Sequence, residues 1–119
     1  MLSNKSARYV EVIHTNSQFL GIKESVGHVD FYFNGGITQL GCSNTFLTIN
    51  MCSHLRSFEY FAESLYSKIG FYGKKCINNN KGAYQWCNIS HMGGVKDKIE
   101  KKGQYFITTN SNYPFAKEL

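Results

Sequence analysis

Apolar and polar positions divide this chain into a few stretches of distinct character. Arg8 to Thr15 (RYVEVIHT) is β-branched, free of proline and glycine and nearly continuous in its apolar run, which predicts a strand buried on both faces. Such strands usually belong to parallel sheets, so this one needs neighbours from elsewhere in the chain. Ser17 to Gly27 is polar and punctuated by glycine, hence a loop. His28 to Phe33 (HVDFYF) predicts a short extended piece that ends at the turn signal Asn34-Gly35-Gly36. From Ser53 the apolar positions Leu55, Phe58, Phe61 with Ala62, Leu65 and Ile69 recur every three or four residues. That spacing predicts an amphipathic helix over 53–69, with Ser53 as N-cap and Gly70 as its stop. Past Phe71 the composition turns to Asn, Gly and Lys, and Cys76 and Cys87 close a loop around INNNKGAYQW. Gln104 to Thr109 (QYFITT) predicts a late strand and Asn110 to Pro114 a turn.

Composition narrows the class. With 119 residues the chain is one domain at most, and 42% hydrophobic with 15% aromatic residues argues against intrinsic disorder. The formal charge of +5 is scattered, and the one dense cluster, Lys96 to Lys102, is interrupted by Asp97 and Glu100. It reads as a solvated face, and no nucleic-acid partner is inferred. No apolar run approaches the length of a transmembrane span, and MLSNKSARYV has no apolar core of the signal-peptide kind. The cysteines nevertheless form two close pairs along the sequence, Cys42 with Cys52 and Cys76 with Cys87, as expected of two local disulfides in an oxidising compartment. Two glycosylation sequons, at Asn4 and Asn88, point the same way. Together they predict a secreted, extracellular protein whose true start, signal peptide included, lies upstream of Met1.

The chemistry centres on CSHLRSFEYF, Cys52 to Phe61. His54 falls in the first turn of the predicted helix, where the amide groups disfavour positive charge and tend to keep imidazole neutral. A zinc site built from Cys42, Cys52, His54 and His91 is disfavoured, because neither Cys42 nor His91 has a companion at metal-ligand spacing. A Cys–His nucleophile is disfavoured because a disulfide sulfur is not a thiolate. A Ser-His-Asp hydrolase requires a nucleophile elbow, and no Gly-x-Ser-x-Gly occurs in these residues. In α/β-hydrolases, however, the triad runs Ser, Asp or Glu, then His along the chain, so a later portion keeps the histidine and lacks the serine. His14 and His28, in strand-like segments, read as structural hydrogen-bonded histidines. Trp86 is expected to pack on the neighbouring disulfide, and Arg56 either pairs with a carboxylate near the site or lies exposed.

Several motifs in order resemble the pancreatic-lipase family of α/β-hydrolases, and more closely its insect neutral lipases and venom-type phospholipase A1 members. YVEVIHTN, Tyr9 to Asn16, is similar to a late core strand, and GHVDFYFNGG, Gly27 to Gly36, to the signature Gly-His-x-Asp-Phe-Tyr-Pro-Asn-Gly-Gly. LGC, Leu40 to Cys42, is similar to the Pro-Gly-Cys that opens the lid, and CSHLRSFEYFAES, Cys52 to Ser64, to the segment holding the lid's closing cysteine and the catalytic histidine. HMGG, His91 to Gly94, and YFITTNSNYPFA, Tyr105 to Ala116, resemble the last strand and terminus of insect members.

The resemblance implies an α/β fold, the C-terminal portion of an α/β-hydrolase domain, with the nucleophile elbow and its strands lying before Met1. It implies that His54 is the triad histidine, that Cys42 and Cys52 bridge the lid base, and that Cys76 with Cys87 forms the next disulfide. Phe33 replaces the family's proline, which is expected to loosen one turn. Asn16 cannot serve as a carboxylate, and nothing recommends Asp30 as the triad acid. The lid 42–52 is short, as in phospholipase A1 members, and offers Phe46, Leu47 and Ile49 to a lipid surface. The implied function is lipid ester hydrolysis, phospholipase A1 or triacylglycerol lipase, at a membrane or lipoprotein surface, with no cofactor and no metal. The rival reading is a stand-alone, disulfide-stapled protein that binds lipid surfaces without catalysis.

Overall fold

A computed structural model describes residues 1–43, 45–78, 85–92 and 102–118, with the backbone alone of 77, 78, 85 and 86. Five strands form one mixed sheet with a single described helix. The strands are β1 (Glu11–His14), β2 (Val29–Phe33), β3 (Tyr72–Asn78), β4 (Gln85–His91) and β5 (Gly103–Ile107), and the helix is α1 (Phe46–Ser64). Their order across the sheet is β1-β2-β5-β3-β4. β1, β2 and β5 run parallel, and β3 is antiparallel to both β5 and β4. The parallel pairing meets the expectation drawn from Arg8 to Thr15, but β1 is only half-buried along Glu11 to Ile13. The strand buried on both faces is β2, every residue of which is enclosed because it lies between β1 and β5.

Alternation along β2 separates two faces. Val29, Phe31 and Phe33 point toward α1 and enter a core with Tyr60, Phe71, Tyr105, Ile107 and Phe115. The Phe33 ring stacks on Tyr60 at 4.6 Å and meets Phe71 edge-on at 5.7 Å, so the residue that stands for the family's proline is a core aromatic rather than a loosened turn. Asp30 and Tyr32 point to the other face. Asn34, Gly35 and Gly36 all have positive φ and turn the chain at the end of β2, as the Asn-Gly-Gly signal predicts.

α1 differs from its prediction in both extent and orientation. It begins at Phe46 and ends at Ser64, so residues 46–52, read from sequence as loop, are helical, and Thr45 rather than Ser53 stands at the N-cap. Thr48 and Asn50 are weak helix formers, which concealed this first part of the helix. The residues turned to the sheet are Asn50, Ser53, Arg56, Tyr60 and Glu63. The apolar positions that suggested the helix, Leu55, Phe58, Phe61 and Leu65, face solvent.

Hydrogen bonds fasten the buried face. Ser53 Oγ accepts from Gln39 N at 2.8 Å, and the Tyr60 hydroxyl donates to Gln39 Oε1 at 2.9 Å. Gln39 Nε2 donates to the carbonyls of Phe33 and Thr15, so one side chain joins the helix to the ends of two strands. Glu63 accepts from the backbone amides of Phe115 and Ala116 at 2.7 and 2.6 Å, charge-assisted bonds that hold the C-terminal segment. Arg56 is buried, lies 4.4 Å from the Phe115 ring centre and pairs with Glu59 at 3.1 Å.

The polar stretch past Phe71, read from sequence as holding a loop closed by Cys76 and Cys87, forms the paired strands β3 and β4, whose ends reach into that loop. Lys74, Lys75 and Asn88 carry no apolar alternation because the hairpin lies at the edge of the sheet, largely exposed. Cys76 and Cys87 are directly opposed and bridged, and Cys42 and Cys52 form the second disulfide. The Trp86 side chain, residues 79–84 between the strands, Gly93 and Gly94, and all of the Lys96 to Lys102 cluster but Lys102 lie outside the described residues.

Candidate active site

His54 stands in the middle of α1 rather than in a first turn, so the helix-start argument for its charge state does not apply. Leu47, Met51, His54, Phe58, Phe61 and Leu65 recur at alternating steps of four and three. Those steps put them on one stripe of a helix. All six are exposed. The imidazole therefore projects from an apolar strip on the face turned away from the sheet's hydrogen-bond network.

Beside that strip a cleft of about 180 Å³ is lined by His54 and Ser57 of α1 and by Val12, Asn16, Gly21 and Ile22. It lies at the carboxyl end of β1, the side of a parallel sheet where ligands characteristically bind. Asn16 is buried there, its amide donating to Ile37 O and to Asn50 Oδ1, while its own oxygen accepts from Leu20 N. These bonds tie the end of β1 to the start of α1 and set the distance between strand and helix. Cys42–Cys52 clamps the same region, since Cys52 lies two residues before His54.

His14, the buried histidine, is occupied elsewhere. His14 Nδ1 lies 2.9 Å from the Ile22 carbonyl and Nε2 lies 2.9 Å from Asp30 Oδ1. Asp30 Oδ1 also accepts from the amides of Val26 and Gly27, and Tyr32 stacks on the His14 ring at 4.2 Å. The pair thus pins the loop 22–27, the structural role expected of His14. His28 has such a role too, its Nδ1 accepting from Val10 N at 2.9 Å. Sequence reasoning missed the His14–Asp30 contact, although register betrays it: β1 and β2 are parallel and adjacent, with Val12 opposite Asp30.

Among the described residues no carboxylate forms an ion pair with His54, and no group of His, Cys, Asp and Glu is arranged to hold a metal ion. Phe46 and Leu47 are exposed at the start of α1 and Ile49 is half-buried; Phe46 meets the exposed Phe19 edge-on at 5.4 Å. Asn4 and Asn88 are both exposed. No described helix is long and apolar enough to cross a membrane.

Comparison with known proteins gives this geometry a family. The chain is 33% identical to pancreatic lipase-related protein 2 of Bos taurus across 97% of its own length and 31% of the relative's. It is 30% identical to pancreatic triacylglycerol lipase of Oryctolagus cuniculus across 98% of its length and 31% of that protein's. With lipase member H-B of Xenopus laevis it shares 42% identity over 73 residues, 59% of this chain and 16% of the relative. The chain spans about a third of the length of the pancreatic relatives it matches. Residues 1–115 match the family described as Lipase, and on that match and these identities the chain belongs to the pancreatic-lipase family and corresponds to a C-terminal part of its lipase region.

Proposed function

We propose that these residues form part of an α/β-hydrolase catalytic domain that cleaves carboxylic esters of lipids, with His54 as the general base and acid of a Ser-His-Asp triad. The observation that carries the reading is the exposed His54 at the carboxyl end of the parallel strands, in a segment fixed by a disulfide and by buried hydrogen bonds. The imidazole takes the proton of a serine hydroxyl as its oxygen attacks the ester carbonyl, then delivers it to the leaving alcohol; water afterwards releases the acyl group by the same two transfers. Serine and triad acid come from outside these 119 residues. Asp30 is unsuited to the second role because its carboxylate is held by His14 and two loop amides.

Phospholipid is the favoured substrate class, with triacylglycerol the competing one. The Bos taurus alignment extends over 146 positions, while 97% of this chain supplies about 115, so the relative carries extra residues within the matched span. The cover between Cys42 and Cys52 is only nine residues long, which leaves the active site more open. Phe46 and Leu47, with Ile49 behind them, supply apolar contact with a lipid surface. Two disulfides support an extracellular location, where the exposed Asn4 and Asn88 are available for glycans.

The test is hydrolysis by this chain joined to an upstream lipase segment carrying Gly-x-Ser-x-Gly. Release of fatty acid from phosphatidylcholine vesicles, faster than from a trioleoylglycerol emulsion and abolished by an alkyl phosphonate that traps the serine, is the expected result. No ester hydrolysis from a folded, disulfide-intact protein overturns the reading.

A further inference from the structure

The sheet face opposite α1 carries a second cavity, remote from His54. The pairing registers His14 with Tyr32, Tyr32 with Phe106 and Phe106 with Lys74 set four side chains in a row across β1, β2, β5 and β3. The first three form a continuous aromatic stack, with ring centres 4.2 Å apart between His14 and Tyr32 and 5.6 Å between Tyr32 and Phe106. At the Lys74 end this row meets the C-terminal segment. There a cavity of about 570 Å³ opens, lined by Tyr72, Lys74, Phe106, Thr108, Lys117 and Glu118. Phe106 is 53% exposed and Tyr72 37%, so two aromatic surfaces lie open within it. Among the described residues neither Lys74 nor Lys117 forms an ion pair with a carboxylate.

We propose that this cavity binds the anion of a single-chain fatty acid, its carboxylate between Lys74 and Lys117 and its hydrocarbon chain along Phe106 and Tyr72. Volume and charge both select that chemistry. The cavity has the size of sites that enclose one small ligand, and a two-chain phospholipid exceeds it. Among the described lining residues, two lysines against the one carboxylate of Glu118 leave a single positive charge, which a monoanion neutralises. The position of β3 inside the sheet, between β5 and β4, argues against an added peptide strand there. The site stands on its own residues. That its ligand arises from ester hydrolysis rests on the function proposed above, and the binding test does not depend on turnover.

Displacement of cis-parinaric acid, followed by fluorescence in the full chain below the ligand's micelle-forming concentration, reads this site directly. Oleate is expected to displace the probe, and methyl oleate, which lacks the charge, to do so about tenfold less well. Lys74→Gln and Lys117→Gln are each expected to weaken oleate about threefold to fivefold, as partly exposed ion pairs do, and Phe106→Ala to weaken it about tenfold. Both lysines are exposed, so these variants keep the fold, which circular dichroism verifies. Equal displacement by oleate and its methyl ester, or unaltered oleate affinity in both lysine variants, overturns the proposal. So does a result in which the lysine changes weaken attachment to phosphatidylglycerol vesicles and leave oleate untouched.

Discussion

The two faces of α1 are built on opposite principles. The face toward the sheet is polar and holds by hydrogen bonds: Ser53 and Tyr60 to Gln39, Asn50 to Asn16, Glu63 to the amides of Phe115 and Ala116. The face turned away is apolar and holds nothing among the described residues: Leu47, Met51, Phe58, Phe61 and Leu65 surround His54 in the open. Burying polar groups is tolerable only when each is paired, and pairing fixes geometry more sharply than apolar contact does. The difference separates two tasks. On the function proposed above, the polar face fixes where His54 stands, and the apolar face supplies the dry surroundings in which a substrate meets it.

Substitutions on the two faces should therefore differ in kind. Glu63→Ala is expected to cost the most, about 3–4 kcal/mol, because it strands two buried amides that now donate to a carboxylate. Urea denaturation measures it, and a loss below about 1 kcal/mol would mean that the C-terminal segment is not held this way. Gly41→Ala should cost about 2 kcal/mol or more. Gly41 has φ 80, and a Cβ there would collide with the Ser111 carbonyl oxygen, so the turn before α1 has no room for a side chain. On the outer face, Phe58→Ser should change stability by no more than about 0.5 kcal/mol, because the ring is already exposed. A large loss there would show that the outer face is packed and would erase the distinction.

How much of this was legible in the chain depends on what each signal reports. β1, β2, β5 and the Asn34-Gly35-Gly36 turn were readable because their residues pack within this chain, and period and turn chemistry then speak directly. The helix was readable but its orientation was not. Apolar periodicity at Leu55, Phe58, Phe61 and Leu65 marks a face that prefers burial without saying against what, and here the sheet is met by the polar stripe instead. β3 and β4 were hidden by Lys74, Lys75 and Asn88, whose polarity suits an exposed edge hairpin as well as a loop. Of the candidate site, His54 and its disulfide were legible from motif. The Asn16–Asn50 tie and the His14–Asp30 pair were not, since both depend on which strands lie side by side.

A smaller effect follows from pH. Burial raises the hydroxyls of Tyr9, Tyr60 and Tyr105 above the ordinary value near 10, and in Tyr9 the Glu11 carboxylate adds to it. The unfolded chain therefore loses these protons first, so the stability they protect is complete below about pH 10 and declines as pH rises past it. Thermal melts from pH 8 to 11.5 should show a flat region and then a fall, and Tyr60→Phe should shallow that fall. A steady melting temperature across the range would remove Tyr60 from the buried network.

The most direct test of the account replaces His54 with alanine in the chain joined to the upstream lipase segment, and measures ester hydrolysis and melting temperature on the same sample. The account predicts a loss of rate of about 10⁴-fold or more, with the melting temperature within about 2 °C of the parent, because the imidazole is exposed and sits on the face that does not hold the helix. Undiminished hydrolysis, or a loss that appears only because the protein has unfolded, would contradict it.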